Sequence, residues 1–314
     1  MIGCGDVTEK KSAPAYQQIE GFDLTAVMGR SEDKVKDYAR RHRIPNWYTD
    51  AQELITNPEI DAIYMATPPH ARLEYALAVA RTGKPCCIEK PLSSSYAESR
   101  KIVDIFNQYN VPLFVAYYRR SLPLFLDIRA KLQAETIGEV RSVDWQLHRP
   151  PSTTDLEKTY NWRTDRAIAP GGYFDDLASH GLDLFAFYFG EYTKVSGQAI
   201  NQQKLYSAPD SIAACWTHTS GVTGTGHWNF GSAFHKERAV IRGENGTIEF
   251  SVFGEKPYKI RTNTGTEAIQ LPNPNPIQLP FVFDIRQHLC ERHTHTSTGE
   301  TALHTAWVMD EITK

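Results

Sequence analysis

The sequence predicts an α/β protein of two domains: a doubly wound parallel sheet at the N-terminus, then a domain of helices and an antiparallel sheet. Three observations lead there. The 314 residues suffice for two cores at about 150 residues each. Up to about Ala116, strand-like and helix-like stretches alternate at βαβ spacing. After Tyr117 the rhythm changes to strand-like runs separated by Gly, Ser and Asn turns. The expected division is therefore residues 1–118 and residues 119–314.

In the first domain the apolar runs 24–28, 62–66, 85–89 and 112–116 read as strands covered on both faces. Helices are expected over 12–19, 31–43, 72–81 and 96–109, with Ser31 and Ser95 where caps belong. The cluster Arg40-Arg41-His42-Arg43 falls at a helix C-terminus, where cations complement the dipole, so it needs no nucleic-acid partner. The chain opens Met1-Ile2-Gly3-Cys4-Gly5, as though the strand expected before the glycines were truncated and lay upstream. In the second domain a helix is expected over 122–133, a strand over 140–148 and a helix after Gly171-Gly172. Strands follow at 194–201, 212–219, 223–230, 237–242 and 247–250. Residues 271–280, rich in Pro and Asn, read as a loop before helices at 281–291 and 300–314.

Bulk properties narrow the function. A net charge of -3 offers no bait for nucleic acid or an anionic membrane surface, which leaves a small-molecule partner. No apolar stretch approaches the roughly 18–20 residues needed to span a bilayer. Five cysteines, with Cys86 and Cys87 adjacent in an apolar run, point to buried thiols in a reducing compartment and hence to the cytoplasm. His293 and His295 flank Thr294, but a lone His-x-His in a polar loop is usually solvated, and no metal is expected.

Chemistry concentrates at four places. Gly3-Cys4-Gly5-Asp6-Val7-Thr8 precedes a helix whose N-terminal N–H groups suit a pyrophosphate. Thr8 stands where a third glycine is usual, and would either loosen helix–strand packing or offer a hydroxyl to phosphate. The next strand ends at Met28-Gly29-Arg30-Ser31, with no acid for a ribose 2'-hydroxyl but a guanidinium beside a hydroxyl. That pairing suits a 2'-phosphate and favours NADP over NAD. Thr67-Pro68-Pro69-His70 and Glu89-Lys90-Pro91 each follow a strand, at the carboxyl edge where open α/β sheets bind ligands. A surface Glu-Lys pair is the competing account of the second.

The fourth is the segment from Gly171 to Asp183. At helical spacing Asp176, His180 and Asp183 share one face, while Leu177, Leu182, Leu184, Phe185 and Phe187 leave little of the helix for water. A carboxylate one turn before an imidazole on a buried helix is either a structural ion pair or an acid/base device.

In one order, Gly-x-Gly, Glu89-Lys90-Pro91, Tyr117-Tyr118-Arg119-Arg120, Trp162-Arg163 and Gly171-Gly172 with Asp176-x-x-x-His180 resemble the Gfo/Idh/MocA family of oxidoreductases over nearly the whole chain. The resemblance implies a Rossmann domain, a C-terminal α/β domain on an open, mostly antiparallel sheet, a nicotinamide cofactor and a sugar-like or cyclic polyol substrate. By the same resemblance Lys90 hydrogen-bonds the reacting oxygen, His180 exchanges its proton, and Asp176 holds a neighbouring hydroxyl or orients the imidazole. Tyr118, Trp162 and Arg163 line the junction of cofactor and substrate, and Asp183 braces the helix. The family's open sheet often packs on a second subunit, which implies a homodimer or homotetramer. One departure stands out: Arg72 occupies the position where the family commonly carries a histidine after the Thr-Pro turn. An NAD-dependent glycosidase on the same fold and a non-catalytic dinucleotide or sugar sensor are the alternative functions.

Overall fold

The computed structural model describes residues 1–314. The chain divides into two compact units, each made of two segments: Met1–Leu122 with Pro274–Leu303, and Pro123–Asn273 with His304–Lys314. This is more interleaved than a single cut at 118/119.

The first unit is the doubly wound half. Its strands are β1 (Ala26–Met28), β2 (Asn46–Tyr48), β3 (Ile63–Met65), β4 (Cys86–Ile88) and β5 (Leu113–Val115). β1 pairs β2 in parallel, and β3, β4 and β5 pair in parallel in that order. Ile2 joins the two groups by bridging Met28 and Met65, both in parallel. Its N–H donates to Tyr64 O at 2.7 Å, and its carbonyl accepts from Ala66 N at 2.8 Å. Ile2 thus fills the central position of the sheet, with the Met1 ammonium donating to Ala26 O at 2.8 Å. Around this sheet lie α1 (Ala13–Gln18), α2 (Glu32–His42), α3 (Ala51–Thr56), α4 (Arg72–Arg81) and α5 (Tyr96–Gln108).

Local chemistry accounts for these helices. Ser95 caps α5 by accepting from Glu98 N at 3.2 Å, whereas Ser31, expected to do the same for α2, makes no side-chain cap. In α2, Glu32 and Asp33 occupy the first turn and Arg40, Arg41 and His42 the last, as the dipole favours. Arg40 and Arg41 bond Asp37 at 2.8 and 2.7 Å, and Arg41 and His42 also reach Glu9, so most of the basic cluster is taken up in ion pairs within the chain. The returning segment adds α9 (Leu279–Cys290) and an edge contact in which Ser297 Oγ donates to Val115 O at 2.6 Å. His295 is turned into the core, its Nδ1 accepting from Ser297 N at 2.9 Å, while His293 is exposed, so the two rings do not converge.

The second unit is an eight-stranded sheet. β6 (Val140–His148) pairs β9 (Thr223–Asn229) in parallel; every other pairing, among β7 (Tyr192–Ile200), β8 (Ser211–His218), β10 (Lys236–Gly243), β11 (Gly246–Phe250), β12 (Tyr258–Thr262) and β13 (Gly265–Ile269), is antiparallel. Val143, Trp145 and Leu147 alternate on the buried face of β6. Against that face packs α8 (Tyr173–Phe189), with Phe185 edge-on to Trp145 at 6.0 Å. Helices α6 (Pro123–Gln133), α7 (Thr153–Leu156) and α10 (Gly299–Thr313) complete the elements, α10 running from one unit into the other.

Candidate active site

In the first unit, parallel pairing brings five strand ends to one edge of the sheet, and with them Gly3, Arg30, Thr67, Lys90 and Tyr118. Gly3 has φ of +102°, a conformation that side chains disfavour, and lies against Ala66. Gly5 faces open space, and helical turns start at Asp6, running through Val7 into a π-helix over Thr8–Ser12. Thr67 presents a buried hydroxyl with no hydrogen-bond partner. An open glycine before a helix start and an orphaned hydroxyl at the next strand end fit a dinucleotide. Arg30 and Ser31 are exposed, and Arg30 borders a recess of about 360 Å³ with Thr49, Asp50, Glu74 and Tyr75.

Two expected contacts are redirected. The Thr8 hydroxyl donates to Gly5 O at 2.8 Å and is fully buried, so it closes the turn and neither loosens the packing nor reaches toward phosphate. Glu89 is not a surface partner of Lys90. Its carboxylate is buried, accepting from Tyr64 Oη at 2.7 Å, Gln278 Nε2 at 2.9 Å and Lys90 N at 3.2 Å. Burial and this carboxylate push the Tyr64 phenol well above its ordinary pKa.

Arg72 proves to be a clamp. Its buried guanidinium donates to Thr67 O at 2.9 Å and also to the carbonyls of Glu89 and Pro91. One side chain thus joins the Thr-Pro turn to the loop carrying Lys90. Pro68 and Pro69 lead into a short 3-10 turn ending at Ala71, just before Arg72. Tyr118 is buried in a 3-10 turn, with Lys11 5.8 Å and Arg119 5.0 Å from its ring centre.

The second unit holds the acid/base helix. Gly172 starts α8 at φ +66°, where an added Cβ would lie 2.9 Å from that of Ala208. Asp175 accepts from Gly171 N at 2.7 Å, and burial pushes its carboxyl up to about 7. Asp176 pairs with Arg163, Nε to Oδ2 at 3.4 Å, and that guanidinium lies over the Trp162 ring at 4.4 Å. His180 is buried one turn later with its ring edge-on to Phe253 at 5.8 Å. Asp183 is buried deeper and accepts from Thr305 Oγ1 at 3.4 Å.

Sequence reasoning missed Phe253 and Arg149. Phe253 is held in place by Glu237, whose carboxylate accepts from Trp145 Nε1 at 2.8 Å and Val252 N at 3.0 Å and also from the Ser251 hydroxyl. Arg149 directly follows β6 and lies over the same phenyl ring, 5.7 Å from its centre. A basic residue before Pro150-Pro151 carried the only signal.

Comparison with known proteins bears on both halves. The model of the oxidoreductase family with an NAD-binding Rossmann fold matches residues 1–117, and that of the GFO/IDH/MocA C-terminal domain matches 125–249. Oxidoreductase P35 of Formosa agariphila is 36% identical over 311 residues, covering 99% of this chain and 96% of that protein. The scyllo-inositol 2-dehydrogenase (NADP(+)) IolU of Bacillus subtilis is 26% identical over 335 residues, covering 100% and 95%. Levoglucosan dehydrogenase in complex with NADH and levoglucosan superposes with a TM-score of 0.89 at 19% identity, covering 99% and 94%. No helix is long and apolar enough to cross a membrane. On both family matches and the full-length relative, the chain belongs to the GFO/IDH/MocA family of NAD(P)-dependent oxidoreductases.

Proposed function

We propose that this enzyme moves a hydride between NADP, with NAD as the second choice, and a carbon bearing hydroxyl or carbonyl on a sugar, sugar derivative or cyclic polyol. The observation that carries the reading is the α8 arrangement: a buried imidazole one turn after a carboxylate that an arginine engages at 3.4 Å. Bound nicotinamide supplies the hydride donor or acceptor. The chain supplies the rest. Lys90 Nζ holds the reacting oxygen and offsets the charge developing on it, His180 takes or returns the hydroxyl proton, and Asp176 holds a neighbouring hydroxyl or orients the ring.

Backbone N–H groups of Gly3, Gly5, Asp6 and Val7 would cradle the pyrophosphate, and Arg30 with Ser31 the 2'-phosphate. Thr67, Pro68, Pro69, Tyr118 and Trp162 would border the nicotinamide end. The NADP choice is supported by exposed Arg30 beside an open recess, and by the NADP(+) in the name of the Bacillus relative. A homodimer or homotetramer is supported by the open sheet face, where Asp144, Cys215, Thr225 and Arg242 border a recess of about 560 Å³. Five unpaired cysteines support a reducing, cytoplasmic setting.

The test is fluorescence titration with NADPH and NADH, followed by absorbance screening of sugars and polyols in both directions. Lys90→Ala and His180→Ala should each lower kcat by about 10²–10⁴-fold while cofactor affinity stays within a few-fold. Unchanged turnover in both would remove the assignment. Turnover that needs NAD but accumulates no reduced cofactor would identify the glycosidase chemistry instead.

A further inference from the structure

Arg149 is a basic group beside the His180 end of α8 that the proposed mechanism leaves idle. Its backbone is fixed, the N–H donating to Asn229 O at 2.8 Å and the carbonyl accepting from Ser232 N at 3.1 Å. Its side chain is half-buried over Phe253, and its Nε is fully buried without a hydrogen-bond partner. Phe253 in turn touches the His180 ring, so the guanidinium stands one phenyl ring away from the proposed proton carrier.

A guanidinium N–H that gives up water and gains no acceptor is costly, so the position calls for an acceptor that the chain itself does not place on it. The acidic groups facing it act on it only through space, their hydrogen bonds being made to other partners. Asp176 and Glu237 both act on Arg149 electrostatically, as does the Tyr173 phenol, and burial still draws its pKa down. Glu237 is consumed by Trp145, Ser251 and Val252, and Asp176 by Arg163. Tyr173 donates to Asp155 at 2.9 Å. The two guanidiniums and the two carboxylates of this neighbourhood balance in formal charge, yet neither carboxylate hydrogen-bonds Arg149.

We propose that Arg149 recognises an anionic group on the substrate, and that the substrate is an acidic sugar derivative whose carboxylate lies away from the carbon that is oxidised or reduced. The inference rests on the dehydrogenase reading above. A planar fork of N–H donors matches a carboxylate in two parallel bonds. One carboxylate satisfies that fork, and the nearby Asp176 and Glu237 carboxylates disfavour a dianionic phosphate.

Full-length protein loaded with NADPH or NADP is offered glucose, glucuronate, galacturonate and glucose 6-phosphate, with binding read by calorimetry and turnover by nicotinamide absorbance. A uronate should bind and react at least about 100-fold better in kcat/KM than glucose, and also better than the phosphate. In Arg149→Gln this advantage should collapse, through a rise in KM for the uronate, while the melting temperature and NADPH affinity stay unchanged. Arg149→Lys should recover part of it, because the charge survives but the fork does not. Preference for the phosphate over the uronates overturns the carboxylate assignment. Equal use of glucose and uronate, unmoved by Arg149→Gln, overturns the inference and leaves the dehydrogenase standing. Arg149-dependent uronate binding without any redox turnover overturns the uronate as substrate, and the wider sugar and polyol screen then tests the dehydrogenase separately.

Discussion

Gln278 donates its side-chain N–H to Glu89 at 2.9 Å, joining residues 189 positions apart. The bond ties the returning segment before α9 to the strand end that presents Lys90. Glu89 is buried and also receives the Tyr64 hydroxyl and the Lys90 N–H, so its charge is compensated entirely by donors. Removing it takes this acceptor from the Tyr64 phenol, the Gln278 side-chain amide and the Lys90 backbone N–H. Glu89→Ala should therefore cost about 2–4 kcal/mol of stability, and Glu89→Gln less because one acceptor oxygen remains. Denaturant unfolding of the two variants checks this; equal midpoints for Glu89→Ala and the unmodified chain would show that the network is not structural.

Arg72 argues a second case. Its bonds to the Thr67, Glu89 and Pro91 carbonyls fix two loops that sequence reasoning treats separately. As a positioning residue it acts through Lys90 and Thr67, so its loss should lower kcat and weaken cofactor binding together. Arg72→Lys keeps the charge but replaces the rigid guanidinium fork with a single ammonium, and should lose about 10-fold or more in kcat. A variant that melts earlier yet turns over normally would confine Arg72 to a structural role. Lys90→Ala provides the reference, because combining it with Arg72→Lys should add little to the loss if both act through the same group.

The Arg163–Asp176 pair predicts the opposite split. Both side chains are partly exposed, at 41% and 31%, so their attraction is screened and contributes only about 0–1 kcal/mol. Arg163→Ala should leave the melting temperature nearly unchanged. Its effect should appear in kcat/KM, since Asp176 loses the cation that fixes its direction one turn from His180. A stability loss of several kcal/mol with normal kinetics would make the pair a structural brace.

These residues also mark what could be read in advance. Strand β6 is legible at both ends because its apolar residues alternate with polar ones over nine positions. The pair β2 and α3 is not, since Asn46–Tyr48 and Ala51–Thr56 are too short to show a period. Strands β12 and β13 escape for a related reason: Lys, Arg, Thr and Glu interrupt their apolar positions. The central strand is carried almost wholly by Ile2, a position whose pairing depends on neighbours on both sides and not on its own propensity. Asp176, His180 and Lys90 are legible because spacing or strand-end placement singles them out. Arg149, Phe253 and Gln278 are lone side chains near element ends, and only tertiary contacts make them visible.

Acid lability follows from two buried imidazoles. His218 donates from Nδ1 to Gly190 O at 2.8 Å, and its Nε2 is buried without a partner beside the Tyr192 ring at 4.2 Å. Protonation would place a second N–H where nothing accepts it, and burial lowers its pKa from 6.5 to about 4. Burial lowers His295 to about 4 as well, and its Nδ1 is already committed to accepting from Ser297. In both, the folded pKa lies below the unfolded one, so the folded state favours the neutral ring. The stability this represents is full above pH 6.5 and is lost as pH falls from there through about 4. Each ring should contribute a slope of up to about 1.4 kcal/mol per pH unit in that window. Urea unfolding at a series of pH values measures it. His218→Gln should flatten the slope by about one proton, because Gln still donates to Gly190 O but cannot titrate; an unchanged slope in that variant would show that His218 does not set the acid limit.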